Sequence, residues 1–573
     1  MVKSSHRGRY MAPCGHDARG DEVNARLELV WPGKDKFLLV PKDEHGKPVW
    51  VERDHPAASE VRLTDVTGSV GDVPEDPYTA NLLFTGDSLD MLRVLTEVPE
   101  YRSIYRGKVK LVYIDPPFNT GQAFEHYDDW MEHSTWLSFM RERLLLIREL
   151  LATDGSVWVH LDDAEQHRMR LLMDEVFGPQ NFIATVVWGK ADSPRNSAKY
   201  LSVDTDYIGV YARSADVWRP EKLPRTAALN AKYRNPDDDP RGPWLAGDLR
   251  ANKPYSLGLY EVTGPTGRTF LPPHGRYWRV SRERFDQMNA DGRIWWGPEG
   301  KALPTQKRFL SEVGDTVPRT LWTYDDVGSN RSSKNEIKRL FPEVEAFATP
   351  KPERLMERVI RIGSKPGDVV LDCFAGSGAT AAVAHKMGRR WVTSEILPST
   401  VEQFAQPRLT KVVNGEDPGG ITKSANWQGG SGFVTVTVSP SMYDDTAYGV
   451  VLADWAVGER FARAVAGQLG FAWQKSADPL CGIRGRMRLA VLDGPVGPEE
   501  VRAIVGALAE KERVTIVAKS VLPHAEETLT EVSRGSRIRK APRDLLTSGS
   551  LRLRRRSGPA DLHPNTIVEG LTS

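Results

Sequence analysis

The sequence predicts an α/β protein with a parallel sheet and helices outside it. Three observations predict it. Strand-like and helix-like segments alternate from Asn81 to Trp188, and the alternation resumes from Thr349 to Glu395. The strand-like segments stop at acids: Asp87, Asp115, Asp162, Asp372 and Glu395. One of them, Asp368 to Asp372, runs into the glycine turn Gly376-Ser-Gly378 ahead of a helix beginning near Ala379. Repeated β-α alternation argues for crossover helices packed on the faces of a parallel sheet. Acids at strand ends are ligand positions in open α/β sheets.

Composition bounds the class. The chain has 573 residues, which suggests several domains, and 40% hydrophobic with 27% charged residues describe an ordinary soluble globular protein. Lys and Arg number 77 against 76 Asp and Glu, so a basic surface can only be local. Three cysteines, Cys14, Cys373 and Cys481, are too scattered for a disulfide framework or a zinc site, and no metal is expected. A reducing, cytoplasmic compartment follows, in a bacterial setting close to the nucleoid. No apolar run reaches the roughly 18 residues of a membrane span, and Met1 to Gly20 lacks the apolar core of a secretory leader. A phosphate-binding G-x-x-x-x-G-K-[ST] loop does not occur, so no ATP motor is expected.

In chain order, residues 1–75 read as a lead-in. It holds a polar tail and a small hairpin from Phe37-Leu-Leu-Val40 and Val49-Trp-Val51 about the turn Glu44-His-Gly-Lys47. Residues 76–190 form the first half of the α/β domain. Asn81 to Asp90 reads as strand, turn and helix, with Asp87 either a ligand residue or an N-cap. Trp136 to Leu151 is an amphipathic helix, and Gly155 to Leu161 a strand ending in Asp162-Asp163. His160, Asp162 and Asp163 lack a third ligand at short spacing and are read as strand-end capping. Glu165 to Phe177 and Phe182 to Trp188 give a further helix and strand.

Residues 191–345 break the rhythm. Pro and Gly are frequent, and six of sixteen tryptophans lie here (Trp218, Trp244, Trp278, Trp295, Trp296, Trp322). From 190 to 340, 26 Lys and Arg face 19 Asp and Glu. Arg276, Trp278, Arg279, Arg282, Arg284, Lys307 and Arg308 interleave cation and aromatic, a pattern suited to phosphate and base contacts. Residues 346–428 resume the α/β domain. Residues 429–573 read as a small C-terminal α/β domain, with strands at Phe433 to Val438, Gly449 to Asp454, Arg488 to Leu492 and Val514 to Ala518. It ends in a basic tail that includes Arg552, Arg554, Arg555 and Arg556.

Two motifs carry chemistry. In Leu111-Val-Tyr-Ile-Asp-Pro-Pro-Phe118 a buried strand stops at Asp115, and Pro116 and Pro117 stiffen the turn by fixing φ and removing two donors. A carboxylate and a carbonyl side by side, with an aromatic ring next to them, suit transfer of a methyl group to an exocyclic amine. The two acceptors would take its N–H bonds and the ring would stack on the base. The second motif, Gly376-Ser-Gly378-Ala-Thr-Ala381, matches the dinucleotide fingerprint G-x-G-x-x-A. Glu395 could accept from a ribose in either a nicotinamide or an S-adenosylmethionine site. Asp372 decides between them, because its carboxylate suits the ammonium of a methionine moiety and would repel a pyrophosphate. The Asp-Pro-Pro-Phe turn points the same way, since hydride transfer has no use for it.

Asp115-Pro-Pro-Phe118 followed, after an irregular insert, by Asp372-Cys-Phe-Ala-Gly-Ser-Gly378 resembles the amino-methyltransferases of DNA, in the motif order of their β group. Asp115-Pro-Pro-Phe-Asn-Thr-Gly121, Gly155-Ser-Val-Trp-Val-His-Leu-Asp-Asp163, Asp174-Glu-Val-Phe-Gly178, Asn181-Phe and Asp417-Pro-Gly-Gly-Ile-Thr-Lys-Ser-Ala-Asn-Trp427 are similar to the modification (Mod) subunit of type III restriction–modification systems. The resemblance implies a Rossmann-like methyltransferase sheet of permuted motif order, an inserted target-recognition domain and an S-adenosylmethionine cofactor. It implies that Asp115, Pro116, Pro117 and Phe118 are catalytic. Asp372, Phe374, Gly376, Gly378, Thr380 and Glu395 would hold the cofactor, with Asp87 and Lys351 completing its pocket. Phe118 and Ala379 depart from the family, which often has Tyr at the first position and a hydroxyl residue at the second; neither puts activity in doubt.

The expected activity is adenine-N6 methylation of duplex DNA by base flipping, with a homodimer and a restriction or helicase subunit as expected partners. The alternatives are cytosine-N4 methylation and a specificity subunit without turnover of its own. Cytosine-C5 transfer is excluded, because Pro13-Cys14 is the sole Pro-Cys pair and lies in the polar tail.

Overall fold

The computed structural model describes residues 28–40, 47–120, 123–124, 127–128, 131–446, 449–477 and 479–546. Cys14, most of the Glu44 to Lys47 turn and the basic run Arg552 to Arg556 lie outside the described residues. The chain divides into two compact units, one made of the segments up to Arg219 and from Arg319 onward, the other of Pro220–Pro318.

In the first unit ten strands form one sheet. In chain order they are β1 (Thr64–Gly71), β2 (Asn81–Thr85), β3 (Val109–Ile114), β4 (Leu151–Leu161), β5 (Phe182–Gly189), β6 (Thr205–Ala212), β7 (Leu321–Trp322), β8 (Val369–Asp372), β9 (Arg390–Glu395) and β10 (Gly432–Val438). Across the sheet the order is β7-β5-β6-β4-β3-β8-β9-β2-β10-β1. From β4 through β10 every neighbour is parallel. The predicted parallel sheet is therefore its centre. Toward each margin one strand is reversed, β6 running against β4 and β5, and β1 against β10, while β5 and β7 run with the centre.

The centre forms because its strands are apolar on both faces, as strands covered by helices on each side must be. β3 buries every residue but Lys110, and β8 buries all four. The helix His133–Leu150 turns Trp136, Met140, Leu144 and Ile147 inward, and Glu353–Gly363 does so with Leu355, Met356, Val359 and Ile360. Spacings of three and four residues place each set on one helical face. Between β8 and β9 the helix Ala379–Lys386 begins at Gly378, whose φ of 76° is the left-handed conformation glycine adopts freely.

Four strands of this sheet were not assigned to it from sequence. β6 and β7 lie inside the stretch read as irregular, β1 inside the lead-in and β10 inside the C-terminal region. The hairpin Phe37–Val40 with Val49–Val51 forms as expected. The small C-terminal sheet runs in sequence order through Ala472–Ala477, Leu480–Arg484, Met487–Val496, Arg513–Val521 and Arg537–Lys540, with helices Gly458–Leu469, Pro498–Gly506 and Ala525–Val532. It belongs to the first unit: the Val61 amide donates to Gln468 (2.7 Å), and Arg463 pairs with Asp65 (2.9 Å).

The second unit is narrower than the predicted 191–345 insert. Its antiparallel sheet joins Trp244–Asp248, Thr305–Phe309 and Ile294–Trp295. Its core packs Leu249, Val262, Trp278, Phe285, Met288, Ile294 and Trp296. Among the described residues no helix is long and apolar enough to cross a membrane.

Candidate active site

Asp115, Asp372, Glu395 and Asp87 stand just beyond or at the carboxyl ends of β3, β8, β9 and β2, four neighbouring parallel strands. Such ends are where open α/β sheets bind ligands, outside the strands at the change of crossover direction. A cavity of about 720 Å³ opens there, and all four acids line it, with Lys351, Phe374, Gly376 and Thr380. The Asp115-Pro-Pro-Phe118 turn and the Gly376 loop thus share one cleft although more than 250 positions separate them. Gly378 does not line it; it starts the helix behind the loop.

Each acid is held in a distinct way. Glu395 Oε2 accepts the Gly376 amide (3.0 Å) and Oε1 the Leu397 amide (3.1 Å), so the loop and the strand end are tied together. Burial raises its pKa above the ordinary carboxylate value, and those amides work against the rise. Asp372 Oδ1 accepts the Phe374 amide (2.9 Å). Burial pushes Asp372 up to about 7; hydrogen bonds from Thr380 and Phe374 oppose the rise, and the charges of Asp115 and Glu395 add to it. Asp87 caps the helix Ser88–Glu97 through the Leu89 amide (2.7 Å), and the same carboxylate takes Arg143 Nη2 (2.9 and 2.8 Å). Asp87 is thus the N-cap that the sequence allowed, and it also lines the cavity.

Arg143 and Phe139 were missed from sequence. The Arg143 guanidinium lies 3.5 Å from the Phe139 ring centroid and donates to Ser88 (2.7 Å), and Phe139 sits 6.1 Å from Phe374. The available signal was Arg143 itself, a cation on the apolar face of a predicted helix, where a buried charge requires a partner.

At the catalytic motif, Asp115 Oδ2 is bound by Lys351 Nζ, and Oδ1 is buried with no hydrogen-bond partner among the described residues. Trp136 Nε1 donates to the Pro117 carbonyl (2.8 Å), fixing the turn from behind. Phe118 stacks on His160 (5.8 Å between centroids, 29° between planes). His160 is buried between the Tyr113 hydroxyl (2.7 Å) and Asp206 (3.2 Å), so its role is structural support for the turn. Asp162 Oδ1 accepts the Ala164 amide (2.8 Å) as a strand-end cap. Burial would raise Asp206, but the His160 hydrogen bond and the charges of His160, Lys190 and Lys351 outweigh it and bring it to about 2. A second cavity of about 550 Å³ lies against Asp115, Pro116, Phe118, Lys190 and Asp206. The two cavities have Asp115, Thr349, Pro350 and Lys351 in common.

The residues read as DNA-facing all lie in the second unit. Arg279, Arg282, Arg284 and Arg308 are exposed and Arg276 is half-exposed. Several are already engaged: Arg279 donates to the Arg250 carbonyl (2.7 Å) and Arg282 pairs with Asp286 (3.0 Å). Two of the assignments are corrected. Trp278 is 0% exposed in the core of the unit, its indole N–H donating to the Tyr260 carbonyl (2.9 Å). Lys307 is buried against Asp237 and Asp239 (2.8 Å to the latter). Neither can reach a nucleic acid without unpacking its surroundings.

A mixed sheet with a parallel centre, carboxylates at four adjacent strand ends, a glycine loop pinned to one of them and a rigid Asp-Pro-Pro-Phe turn together form a cleft that shares a wall with a second pocket. The profile of the DNA methylase family matches residues 109–406, and the chain belongs to that family. It is similar to the Mod subunit of the type III restriction–modification enzyme StyLTI of Salmonella typhimurium, with 32% identity over 389 residues, 59% of this chain and 58% of that one. The probable HindVI Mod subunit of Haemophilus influenzae is 30% identical over 441 residues, 65% of this chain and 55% of that one. The type II methyltransferase M1.MboII of Moraxella bovis is 53% identical over 297 residues, 52% of this chain and 87% of that one. The chain spans somewhat over half the length of the two Mod subunits. A putative DNA modification methylase of Thermus thermophilus, solved with S-adenosyl-L-methionine, shares 17% identity at a TM-score of 0.30, over 63% of this chain and 99% of that one.

Proposed function

We propose that this chain is an S-adenosylmethionine-dependent DNA methyltransferase acting on the N6 amino group of adenine, as the modification subunit of a restriction system. The observation that carries the reading is the shared cleft: Asp115 and the Gly376 loop line one cavity. The residues fit the cofactor. Glu395 offers acceptors for ribose hydroxyls, and Asp372 offers a buried carboxylate for an ammonium. At Gly376, with φ of 50°, a side chain would crowd Phe347 at 3.3 Å. Phe139, Phe374 and Asp87 supply rings and an acceptor around the remaining space. When bound, the cofactor supplies an electrophilic methyl group.

The chain's own residues do the rest. The target adenine must leave the helix stack to reach Asp115, at a cost of about a few kcal/mol. Phe118 would stack on the extruded ring. Asp115 and the Pro116 carbonyl would accept the two amino hydrogens, drawing the nitrogen lone pair out of conjugation and toward the methyl group. The exposed arginines of the second unit would contact the duplex phosphates. A restriction subunit and a second copy of this chain complete the proposed assembly, in the cytoplasm beside the nucleoid; the names of the Mod relatives support the restriction partner.

The test is labelled-methyl transfer by the purified chain to DNA from a host lacking methylation, with the modified base identified by mass spectrometry. N6-methyladenine is expected. N4-methylcytosine would transfer the reading to the other exocyclic amine, and no label would leave a specificity subunit without turnover. Asp115→Ala should lower transfer by at least about a hundredfold, in the range of a positioned acid–base group, while cofactor binding persists. Retained transfer would refute the role given to Asp115.

A further inference from the structure

Lys351 stands two residues ahead of the helix Glu353–Gly363, 236 positions from Asp115, and its ammonium is bound to one oxygen of that carboxylate. The sequence resemblance places it in the cofactor pocket, whose cavity it does line, and the contact places it on the Asp115 carboxylate as well. We propose that Lys351 is a positioning residue: it anchors Asp115 Oδ2 so that Oδ1 is the oxygen presented to the target amino group. The inference rests on the methyltransferase reading given above.

Four observations carry it. First, Asp115 Oδ1 is buried and lacks any hydrogen-bond partner among the described residues. A buried acceptor left unpaired is costly, the more so when charged, and a native fold rarely leaves one without a use. Oδ1 is thus an acceptor waiting for a donor, and the exocyclic amine supplies one. Second, the Asp115–Lys351 pair stands in the wall common to both cavities, where a methyl group must cross from cofactor to base.

Third, the ammonium lies 5.1 Å from the centroid of the Phe118 ring. One cation therefore holds both the acceptor and the stacking ring in a fixed relation. Fourth, the segment carrying Lys351 is itself anchored. The Glu353 amide donates to Glu336 (3.1 Å), and the buried Glu353 carboxylate binds Lys386 (2.8 Å) and Arg408 (2.8 Å). Lysine also suits the task better than arginine. A point charge on one oxygen leaves the other free, whereas a guanidinium fork takes both.

The test uses the full chain, DNA from a host lacking methylation, and the variants Lys351→Ala, Lys351→Met and Lys351→Arg. Cofactor affinity is measured by calorimetry with S-adenosylhomocysteine. Lys351→Ala and Lys351→Met should lower kcat by about a hundredfold, the cost of a reacting group misplaced by about 1 Å, with cofactor affinity unchanged. Methylammonium added to Lys351→Ala should restore rate, and tetramethylammonium at equal ionic strength should not, because it has no N–H to donate. Lys351→Arg should stay slow although it keeps the charge. Normal or faster turnover of Lys351→Met, an equal loss of cofactor affinity and rate, or equal effects of the two ammonium salts would overturn the inference. Absence of transfer by the unsubstituted chain would instead count against the methyltransferase reading.

Discussion

Replacing Asp372 by asparagine keeps the shape and the acceptor for the Phe374 amide but removes a buried charge whose protonation is tuned to neutrality. In the cofactor-free chain Asp372 sits at about 7 against an ordinary 3.8. A raised value means that the folded chain holds the proton more tightly than the unfolded chain. The associated stability is complete below about pH 4 and is lost as pH rises through about 7. An ammonium docking on the carboxylate reverses the preference and expels the proton. At pH 6 the free chain carries about 0.9 proton on this group, and binding should release nearly all of it. At pH 8 it carries about 0.1, so little is left to release. Affinity should accordingly be about tenfold weaker at pH 6 than at pH 8, one pH unit being worth about 1.4 kcal/mol. Calorimetry with S-adenosylhomocysteine in two buffers of different ionisation heat counts the protons directly. Asp372→Asn should release about 0.9 fewer at pH 6 and lose about 10- to 100-fold in affinity at pH 8, the worth of a charge-assisted hydrogen bond. Equal proton release by the two chains at pH 6 would refute the assignment of the ammonium to Asp372.

Phe118→Ala should slow transfer by about 10- to 100-fold, since stacking of a base on an aromatic ring is worth about 1–3 kcal/mol, while Phe118→Tyr should stay near full rate; steady-state assays on both variants check this. Lys386→Met leaves the Glu353 and Asp417 carboxylates buried beside an uncharged stem. It should cost about 3–5 kcal/mol of stability, read in denaturant unfolding of the first unit. Arg284→Ala, in the exposed first turn of a helix capped by Ser281, should leave stability unchanged and reduce the salt slope of DNA binding by about one. An unchanged slope would remove Arg284 from the duplex contacts.

The centre of the fold was legible because its signals are local. β8 is an apolar run ending in an acid, β3 is one interrupted only by Lys110 and followed by Asp115, and the helices between them repeat at three and four residues. The margins were not legible. β1 (Thr64–Gly71) alternates weakly and has five of its eight residues exposed, so it becomes a strand only because β10 pairs with it across more than 350 positions. β6 follows a loop rich in polar residues, and what fixes it is antiparallel pairing on both sides, again a long-range choice. In the second unit, composition misled for a physical reason. A cation beside tryptophan reads the same whether the pair faces solvent or is buried. Lys307 lies 5.5 Å from the Trp244 centroid, yet Asp237 and Asp239, about 70 positions earlier, allow it to be buried.

The candidate site divides along the same line. Motifs whose chemistry is carried by adjacent residues, Asp115-Pro-Pro-Phe118 and Gly376-Ser-Gly378, could be read directly. The side chains that hold the acids of the site come from elsewhere in the chain. Arg143 reaches Asp87 from a helix, and Lys351 reaches Asp115 from the far side of the second unit in sequence.

The segment Asp417 to Trp427 shows how far such support extends. It carries no cavity-lining residue, yet it closes a buried cluster behind the glycine loop. Asp417 binds Lys386 (2.7 Å), and Lys386 and Arg408 both bind Glu353. Arg408 donates in turn to Ser377 between the two loop glycines (3.3 Å to the hydroxyl). The Ile421 amide completes the Glu353 carboxylate (2.9 Å). Gly420 has φ of 54°, and a side chain there would collide with the Glu353 carboxylate, so glycine is required for the amide to approach. Two cations and two carboxylates at 4% exposure or less would be costly singly; placed together, the opposite charges offset one another, with Arg408 Nε left as a buried donor without a partner among the described residues. Their position joins the loop at Ser377 to the segment that carries Lys351. A lesion in this cluster should therefore loosen both the cofactor loop and the Lys351 anchor, so that Lys386→Met loses cofactor affinity and turnover together, whereas Lys351→Met loses turnover alone.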